Sequence, residues 1–311
     1  MIIKENLKFN NYKDTPVNMS LGTFDALHLG HQKVLKKLIS ESKKDNVKSV
    51  VFTFQNRPRN YFTGKKNDIV TPNDARKVIF KRLGINILVF IKFNKSIATM
   101  EPESFIKKIT SLFKINKIIV GEDFQFGKNK KGNIELLKKL SVKYNYKITA
   151  IKKAKYKNRD ISSSWIRQLI KEGDIKTANR ILGREFFITG KVIKGKGIGR
   201  EIGFPTLNLK LDHPDQILPS QGVYITKVQI GNKLYWGMTY FGHTRIKNRF
   251  VIETNIFDFN KNVYNKKISI FLIKKLRNDF KIIKLDELRA LLNNDRKKAL
   301  KFINRMEVKK R

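Results

Sequence analysis

The sequence predicts an α/β chain in two parts: a mostly parallel sheet flanked by helices, then a small antiparallel β-barrel with a C-terminal helix. Residues 16–182 alternate between short apolar strands and segments of helical period, the pattern of a parallel sheet covered on both faces. From Glu185 the helical period disappears and short apolar stretches follow one another, separated only by turn residues. A length of 311 residues accommodates two cores of ordinary size, and the change of period sets the domains at 1–182 and 183–311.

In the first part, Val17, Met19 and Leu21 make a strand ended by Gly22. A helix follows from about Gly30 to Lys44, with Val34, Leu35, Leu38 and Ile39 on one face and Lys36, Lys37, Glu41 and Lys44 opposite. Lys48–Phe54 is an apolar, β-branched strand. Thr71 reads as an N-cap with Pro72 at the first helical position, Gly84 closes that helix, and Ile87–Ile91 is the next strand. Helix over Pro102–Phe113, strand over Ile118–Val120, helix over Ile134–Tyr144 and strand over Lys147–Ile151 complete the series. Ligands of such sheets bind beyond the carboxyl ends of the strands. In the second part the strands are Phe186–Ile193, Gly222–Ile230, Lys233–Phe241, Arg249–Phe259 and Ile268–Leu276, with Gly231-Asn232 placed for a tight hairpin. Leu285–Met306 is the amphipathic helix, offering Leu288, Leu291, Leu292, Leu300 and Ile303 to a barrel face.

Two stretches carry chemistry. Gly22-Thr23-Phe24-Asp25-Ala26-Leu27-His28-Leu29-Gly30-His31 follows the first strand and opens the first helix, and it holds two of the chain's four histidines. Gly22 and Gly30 allow close backbone approach, the helix start presents free N–H groups, and imidazoles beside them suit phosphate oxygens. Two capping histidines in a solvated turn are the plainer alternative. The second stretch, Leu182 to Leu209, packs Gly195, Gly197, Gly199 and Gly203 into nine residues among Lys194, Lys196 and Arg200. Exposed N–H groups and cations together suit a polyphosphate, and Thr206 and Asn208 just beyond offer the hard oxygen ligands Mg²⁺ prefers. On composition alone the alternative is a flexible Gly/Lys linker between domains.

GKGIGREIGFPTLNL resembles the riboflavin kinase signature G-x(3)-G-R-x(2)-G-F-P-T-A-N, with Leu207 in the Ala position. The decapeptide resembles the G-x-F-D-G-x-H-x-G-H motif of FAD synthetases, with Ala26 in place of Gly; a positive φ there would cost about 1 kcal/mol of strain. Over Leu21 to Lys281 the chain is similar to bacterial bifunctional riboflavin kinase/FAD synthetases. Val51-Phe52-Thr53-Phe54 to Pro58 resembles T-F-x(3)-P, with Arg57 where His is common. Val120–Lys128 resembles V-G-x-D-F-x-F-G-K, and Ile161–Arg167 resembles I-S-S-T-x-I-R.

The resemblance implies a Rossmann-like nucleotidyltransferase domain followed by a riboflavin kinase barrel. In the first it assigns ATP to Gly22, Phe24, His28, Gly30, His31, Ser163, Ser164 and Arg167, and an adenine and flavin loop to Asp123, Phe124 and Phe126. His28, His31 and Arg167 then act on the transferring group. In the second it assigns Gly195, Gly199, Arg200, Thr206 and Asn208 to ATP, Thr206 and Asn208 to Mg²⁺, Glu253 of VIETNIFDF to the catalytic base, and Arg277 to the flavin. Strand alternation alone would instead turn Glu253 to solvent. Asn255 replaces a His, Thr244-Arg245 lack the Pro of G-x-x-P-T, and Asn265 stands where D-x-Y-G has Gly.

The net charge of +41 invites a nucleic-acid reading. The cations are evenly spread, however, and Lys exceeds Arg by 51 to 16, whereas recognition surfaces favour Arg forks. No apolar run approaches the ~18 residues of a membrane span, and without cysteine the chain has no disulfide, which fits a cytoplasmic protein. The expected partners are ATP, riboflavin and FMN, without specific nucleic acid or membrane. The rivals are a chain with one activity lost, an adenylyltransferase for another acceptor, and a basic nucleic-acid-binding protein.

Overall fold

The computed structural model describes residues 1–7, 12–64, 68–195, 198–201, 203–243, 250–280 and 285–308. Lys196, Gly197, Thr244, Arg245 and Lys281 lie outside the described residues. Contacts divide the chain into two compact units, Met1–Ser163 and Ser164–Arg311.

In the first unit, six strands form one parallel sheet: β1 (Ile2–Lys4), β2 (Pro16–Leu21), β3 (Lys48–Phe54), β4 (Ile87–Ile91), β5 (Lys114–Gly121) and β6 (Lys147–Ile151), in the order β1-β4-β3-β2-β5-β6. Successive side chains of a strand alternate between faces, and both faces are buried here. Val50, Phe52, Ile118 and Val120 pack on one side with Phe105, Ile106 and Ile109 of α5 (Pro102–Leu112) and with Leu137 and Leu140 of α6 (Ile134–Tyr144). Val51 and Ile119 pack on the other with Val34, Leu35 and Leu38 of α1 (Leu29–Lys44) and Phe80 of α3 (Asn73–Leu83). Two short helices, α2 (Pro58–Thr63) and α4 (Lys95–Ala98), follow β3 and β4. A small hairpin of β7 (Lys155–Tyr156) and β8 (Arg159–Asp160) follows β6.

Two expectations change. Pro72, not Thr71, is the N-cap of α3, because the Thr71 hydroxyl is turned back to the Ala26 carbonyl at 3.4 Å. The strand expected at Ile118–Val120 begins four residues earlier, at Lys114.

The second unit begins in α7 (Ser163–Glu172) and continues through α8 (Ile175–Leu182). Six strands then close a barrel in the order β10-β13-β12-β11-β14-β9, every pairing antiparallel: β9 (Phe186–Ile193), β10 (Leu207–Leu211), β11 (Gly222–Ile230), β12 (Lys233–His243), β13 (Phe250–Ile256) and β14 (Lys267–Asn278). A short turn of helix, α9 (Ile198–Glu201), lies between β9 and β10. The buried hydroxyls of Thr226, Thr239 and Thr254 bond to one another across three adjacent strands at 2.9 and 3.0 Å, so none is left unsatisfied. The last helix, α10 (Leu285–Val308), packs Ala299 and Ile303 on Val223, Ile225, Met238 and Ile273. Its inner stripe starts from Asp295 rather than from leucines, and Leu300, expected on that stripe, is exposed. Among the described residues no helix is long and apolar enough to cross a membrane.

Candidate active sites

In the first unit, strand order reverses between β2 and β5, whose following segments therefore diverge and leave a crevice. A cavity of about 870 Å³ occupies that end of the sheet, lined by residues after β2, β3, β4, β5 and β6. One wall is aromatic. Phe124 and Phe126 stack with centroids 5.5 Å apart, Phe126 meets Phe105 at 5.9 Å, and Phe54 meets Phe93 at 5.1 Å. The lining also carries polar groups, among them Thr23, His28, His31 and Ser163.

The histidines are organised by the helix start. His28 caps α1 through Nδ1, which accepts the His31 N–H at 3.2 Å, and the two rings stack at 3.7 Å. His28 is only 6 % exposed, yet it and His31 both face the cavity. Gly30 sits under this pair: a Cβ there would lie 3.1 Å from the His28 ring. Ala26 bears no such strain, because positive φ falls on Phe24 (43°) and Leu27 (47°) and not on it. Arg57 occupies its position by pairing with Asp25 at 3.7 Å and with Asp68.

Of the residues singled out in the sequence, Gly22, Phe24, His28, Gly30, His31, Asp123, Phe124, Phe126 and Ser163 line this one cavity. Asp123 is held by Lys153 at 3.3 Å. Ser164 is exposed in α7, while Arg167 on the same helix is buried; both belong by contact to the second unit. Sequence reasoning missed Arg76, whose guanidinium lies behind the decapeptide and bonds to Thr23 and Phe54 carbonyls and to the Thr53 hydroxyl. An arginine on an amphipathic helix reads as surface, and only the three-dimensional packing reveals it as buried.

The barrel site is built by register. Asn208 on β10 stands directly opposite Glu253 on β13, which in turn stands opposite Tyr240 on β12. Directly opposed residues share a face, so these three lie together on the wall, away from the internal threonines. Glu253 is half-buried and accepts a hydrogen bond from the Asn208 side chain. Burial raises its carboxyl pKa above the ordinary value, and the Asn208 bond offsets part of the rise. The same register turns Leu207 toward Thr254, opposite to the Asn208 face, so its bulk does not crowd that face.

Glycines make room around these groups. A Cβ on Gly195 would overlap the Asn208 amide, and one on Gly199 would overlap the Phe204 carbonyl and come within 3.2 Å of Thr206 Oγ1. Arg200 is exposed on α9. Asn255 ties β13 to the Pro205 carbonyl at 2.8 Å, and Asn265 adopts φ 64°, the conformation its residue type tolerates. Arg277 bonds through Nε to the buried Asp295 of α10 at 2.8 Å and through a terminal nitrogen to the Asn278 carbonyl. Tyr240 donates to Asp279 at 3.0 Å.

Comparison with known proteins assigns both units. The family described as FAD synthetase matches residues 11–165, and the family described as riboflavin kinase matches 182–303. Proteins named bifunctional riboflavin kinase/FMN adenylyltransferase are similar along almost the whole chain. That of Buchnera aphidicola (from Schizaphis graminum) is 37% identical, covering 92% of this chain and 94% of its own. That of Bacillus subtilis is 32% identical, covering 93% of each. A solved structure titled macrolide-efflux protein from Streptococcus pneumoniae superposes with a TM-score of 0.86 at 28% identity, over 95% of this chain and 97% of that one. With one family match on each unit and near full-length relatives above 30% identity, the chain belongs to the bifunctional riboflavin kinase/FMN adenylyltransferase family.

Proposed function

We propose that this chain phosphorylates riboflavin to FMN in residues 183–311 and then joins FMN to an adenylyl group in residues 1–182, making FAD. The observation that carries the reading is the presence of two unlike constellations in one chain. A cavity lined by aromatic rings and two histidines lies at the strand ends of the first unit, and a half-buried carboxylate hydrogen-bonded by Asn208 lies on the barrel of the second.

In the kinase step, Glu253 takes the proton of the ribityl 5′-hydroxyl as its oxygen attacks the γ-phosphorus of ATP; the bond to the β-phosphate oxygen breaks and ADP leaves. The raised pKa of Glu253 suits a base at neutral pH. Mg²⁺ fits the donor set, since Thr206 Oγ1 and Asn208 Oδ1 are hard oxygens whose side chains Gly199 and Gly195 accommodate. When bound there it would neutralise phosphate charge. Gly195, Gly199 and Arg200 hold the phosphates, and Arg277, oriented by Asp295, holds the flavin.

In the adenylyl step, a phosphate oxygen of FMN attacks the α-phosphorus of a second ATP and pyrophosphate leaves. The nucleophile is already an anion, so positioning and charge stabilisation are the protein's task. His28 and His31 line the cavity for the triphosphate, while Phe124, Phe126 and Asp123 receive the flavin and adenine. Ser163, Ser164 and Arg167 serve the β- and γ-phosphates; for Ser164 and Arg167 this rests on the resemblance of their segment. Substrates of this kind fit a cytoplasmic enzyme.

The test incubates purified protein with riboflavin, ATP and Mg²⁺ and separates FMN from FAD. Glu253→Gln should stop FMN formation while FMN added directly is still converted to FAD, and His31→Ala should do the reverse. Loss of both steps from either substitution in folded protein would refute the two-site assignment.

A further inference from the structure

Behind the decapeptide lies a buried cation that the proposed chemistry does not use. Arg76, on α3, is 4 % exposed. One terminal nitrogen donates to the Thr23 carbonyl at 2.6 Å and to Thr53 Oγ1 at 2.7 Å; the other donates to the Phe54 carbonyl at 2.7 Å and to Asn73 Oδ1 at 3.3 Å. The Thr53 hydroxyl donates in turn to the Thr23 carbonyl at 2.9 Å, and the guanidinium lies 4.9 Å from the Phe90 ring centre. Among the described residues, all these bonds go to neutral oxygens. Desolvation brings its pKa down to about 10, opposed by the nearby charge of Asp25, so the group stays cationic at neutral pH.

Burying a cation is costly, and among the described residues no salt bridge to Arg76 offsets it, only the charge of Asp25 acting without direct contact. What the arrangement achieves is local to the loop. Thr23 and Phe54 are the residues where the chain leaves β2 and β3 at the mouth of the cavity, and Arg76 clamps both. The clamped carbonyl belongs to the peptide that enters Phe24, a non-glycine residue at φ 43°. A trans peptide sets its N–H opposite to its C=O. Fixing the Thr23 carbonyl therefore turns the Phe24 N–H away from Arg76, and the ring of Phe24 lies edge-on to that of His31 at 5.2 Å.

We propose that Arg76 is a positioning residue for adenylyl transfer: its fork holds the Thr23–Phe24 turn in the strained shape that presents His31 to the nucleotide. The role rests on the function proposed above for the first unit. It does not line the cavity and acts through the loop.

The test compares native protein, Arg76→Met, Arg76→Lys and Thr53→Val in the full chain. It measures FAD formation from FMN and ATP with Mg²⁺, FMN binding by flavin fluorescence, and backbone amide exchange. Arg76→Met should lose about a hundredfold in kcat, with exchange accelerated at residues 22–28 while β4 and β5 stay protected and FMN affinity is unchanged. Arg76→Lys, which keeps a buried donor cation, should recover most of the turnover. Thr53→Val, which removes a shared partner without opening a cavity, should lose about tenfold and reports should Arg76→Met fail to fold. Native turnover in Arg76→Met would overturn the role. So would a loss of FMN binding together with sheet-wide loss of protection that Arg76→Lys does not repair, because packing alone would then explain Arg76. Unchanged kcat in Thr53→Val would also count against the clamp. Native protein that makes no FAD at all would instead sink the proposed function of the first unit.

Discussion

The two units reach a nucleotide by opposite routes. In the parallel sheet, the site is assembled from loops beyond the strand ends, and its contributors are far apart in sequence but each close to a strand terminus. In the barrel, Asn208, Glu253 and Tyr240 lie within strands, and cross-strand register rather than loop shape sets them side by side. A loop-built site depends on backbone shape, and a register-built site depends on which face a residue occupies. The first tolerates a change of side chain where the backbone permits it, as at Ala26; the second tolerates a change where the pleat turns it away, as at Leu207.

Removing Glu253, the base proposed for the register-built site, should give the largest effect. Glu253→Gln keeps size and hydrogen bonding but cannot take the proton, so FMN formation should fall by about a thousandfold in a riboflavin phosphorylation assay. The loop-built site has no base to remove: His31→Ala takes away a proposed phosphate contact there instead. Its comparable weakness is the aromatic wall: Phe126→Ala deletes a buried ring packed on Phe105 and Phe124 and should destabilise the first unit by about 3 kcal/mol, read from denaturant unfolding. In the barrel, Thr239→Val breaks the middle of the hydroxyl chain and strands Thr226 and Thr254, at a cost of about 2 kcal/mol by the same measurement.

Acidity distinguishes the units further. Because burial raises the Glu253 pKa, the base form is lost at higher pH than for an ordinary carboxylate, and kcat/KM for riboflavin should decline as pH falls through a value above 4.5. The opposite sign holds at the far end of the parallel sheet. Lys117 bonds to Glu41 and Asp45, which holds Glu41 down at about 2 and lowers Asp45 as well. Depressed carboxylates stabilise the fold above their unfolded pKa and lose that contribution as pH drops through the folded value. Lys117→Met should therefore lower the melting temperature slightly at neutral pH, and the two melting curves should converge near pH ~2.

Much of this was legible from periodicity and motif. Lys48–Phe54, Ile87–Ile91, Lys147–Ile151, Phe186–Ile193 and Gly222–Ile230 fall where their apolar patterns place them. Three-residue β1 is too short to show a period, and β10 was hidden because its residues read first as ligands. Glu253 shows why pattern alone misleads: alternation correctly puts it on the outer face, but that face is partly covered, and only register reveals Asn208 opposite. The backbone of the decapeptide was illegible for another reason. Its positive φ values fall on Phe24 and Leu27, residue types that give no hint of the left-handed region, and Arg76 clamps the Thr23 carbonyl, just before the first of them, from a helix about fifty positions away.

The wall of the aromatic cavity draws on residues from Leu21 to Ser163. During synthesis, a nascent chain that has exposed β2 and β3 holds half of a cradle and cannot yet retain a flavin. On the function proposed for this unit, capture of ligand therefore comes late, after β5 and β6 have joined the sheet, and flavin quenching in this cavity reports completed folding rather than early collapse.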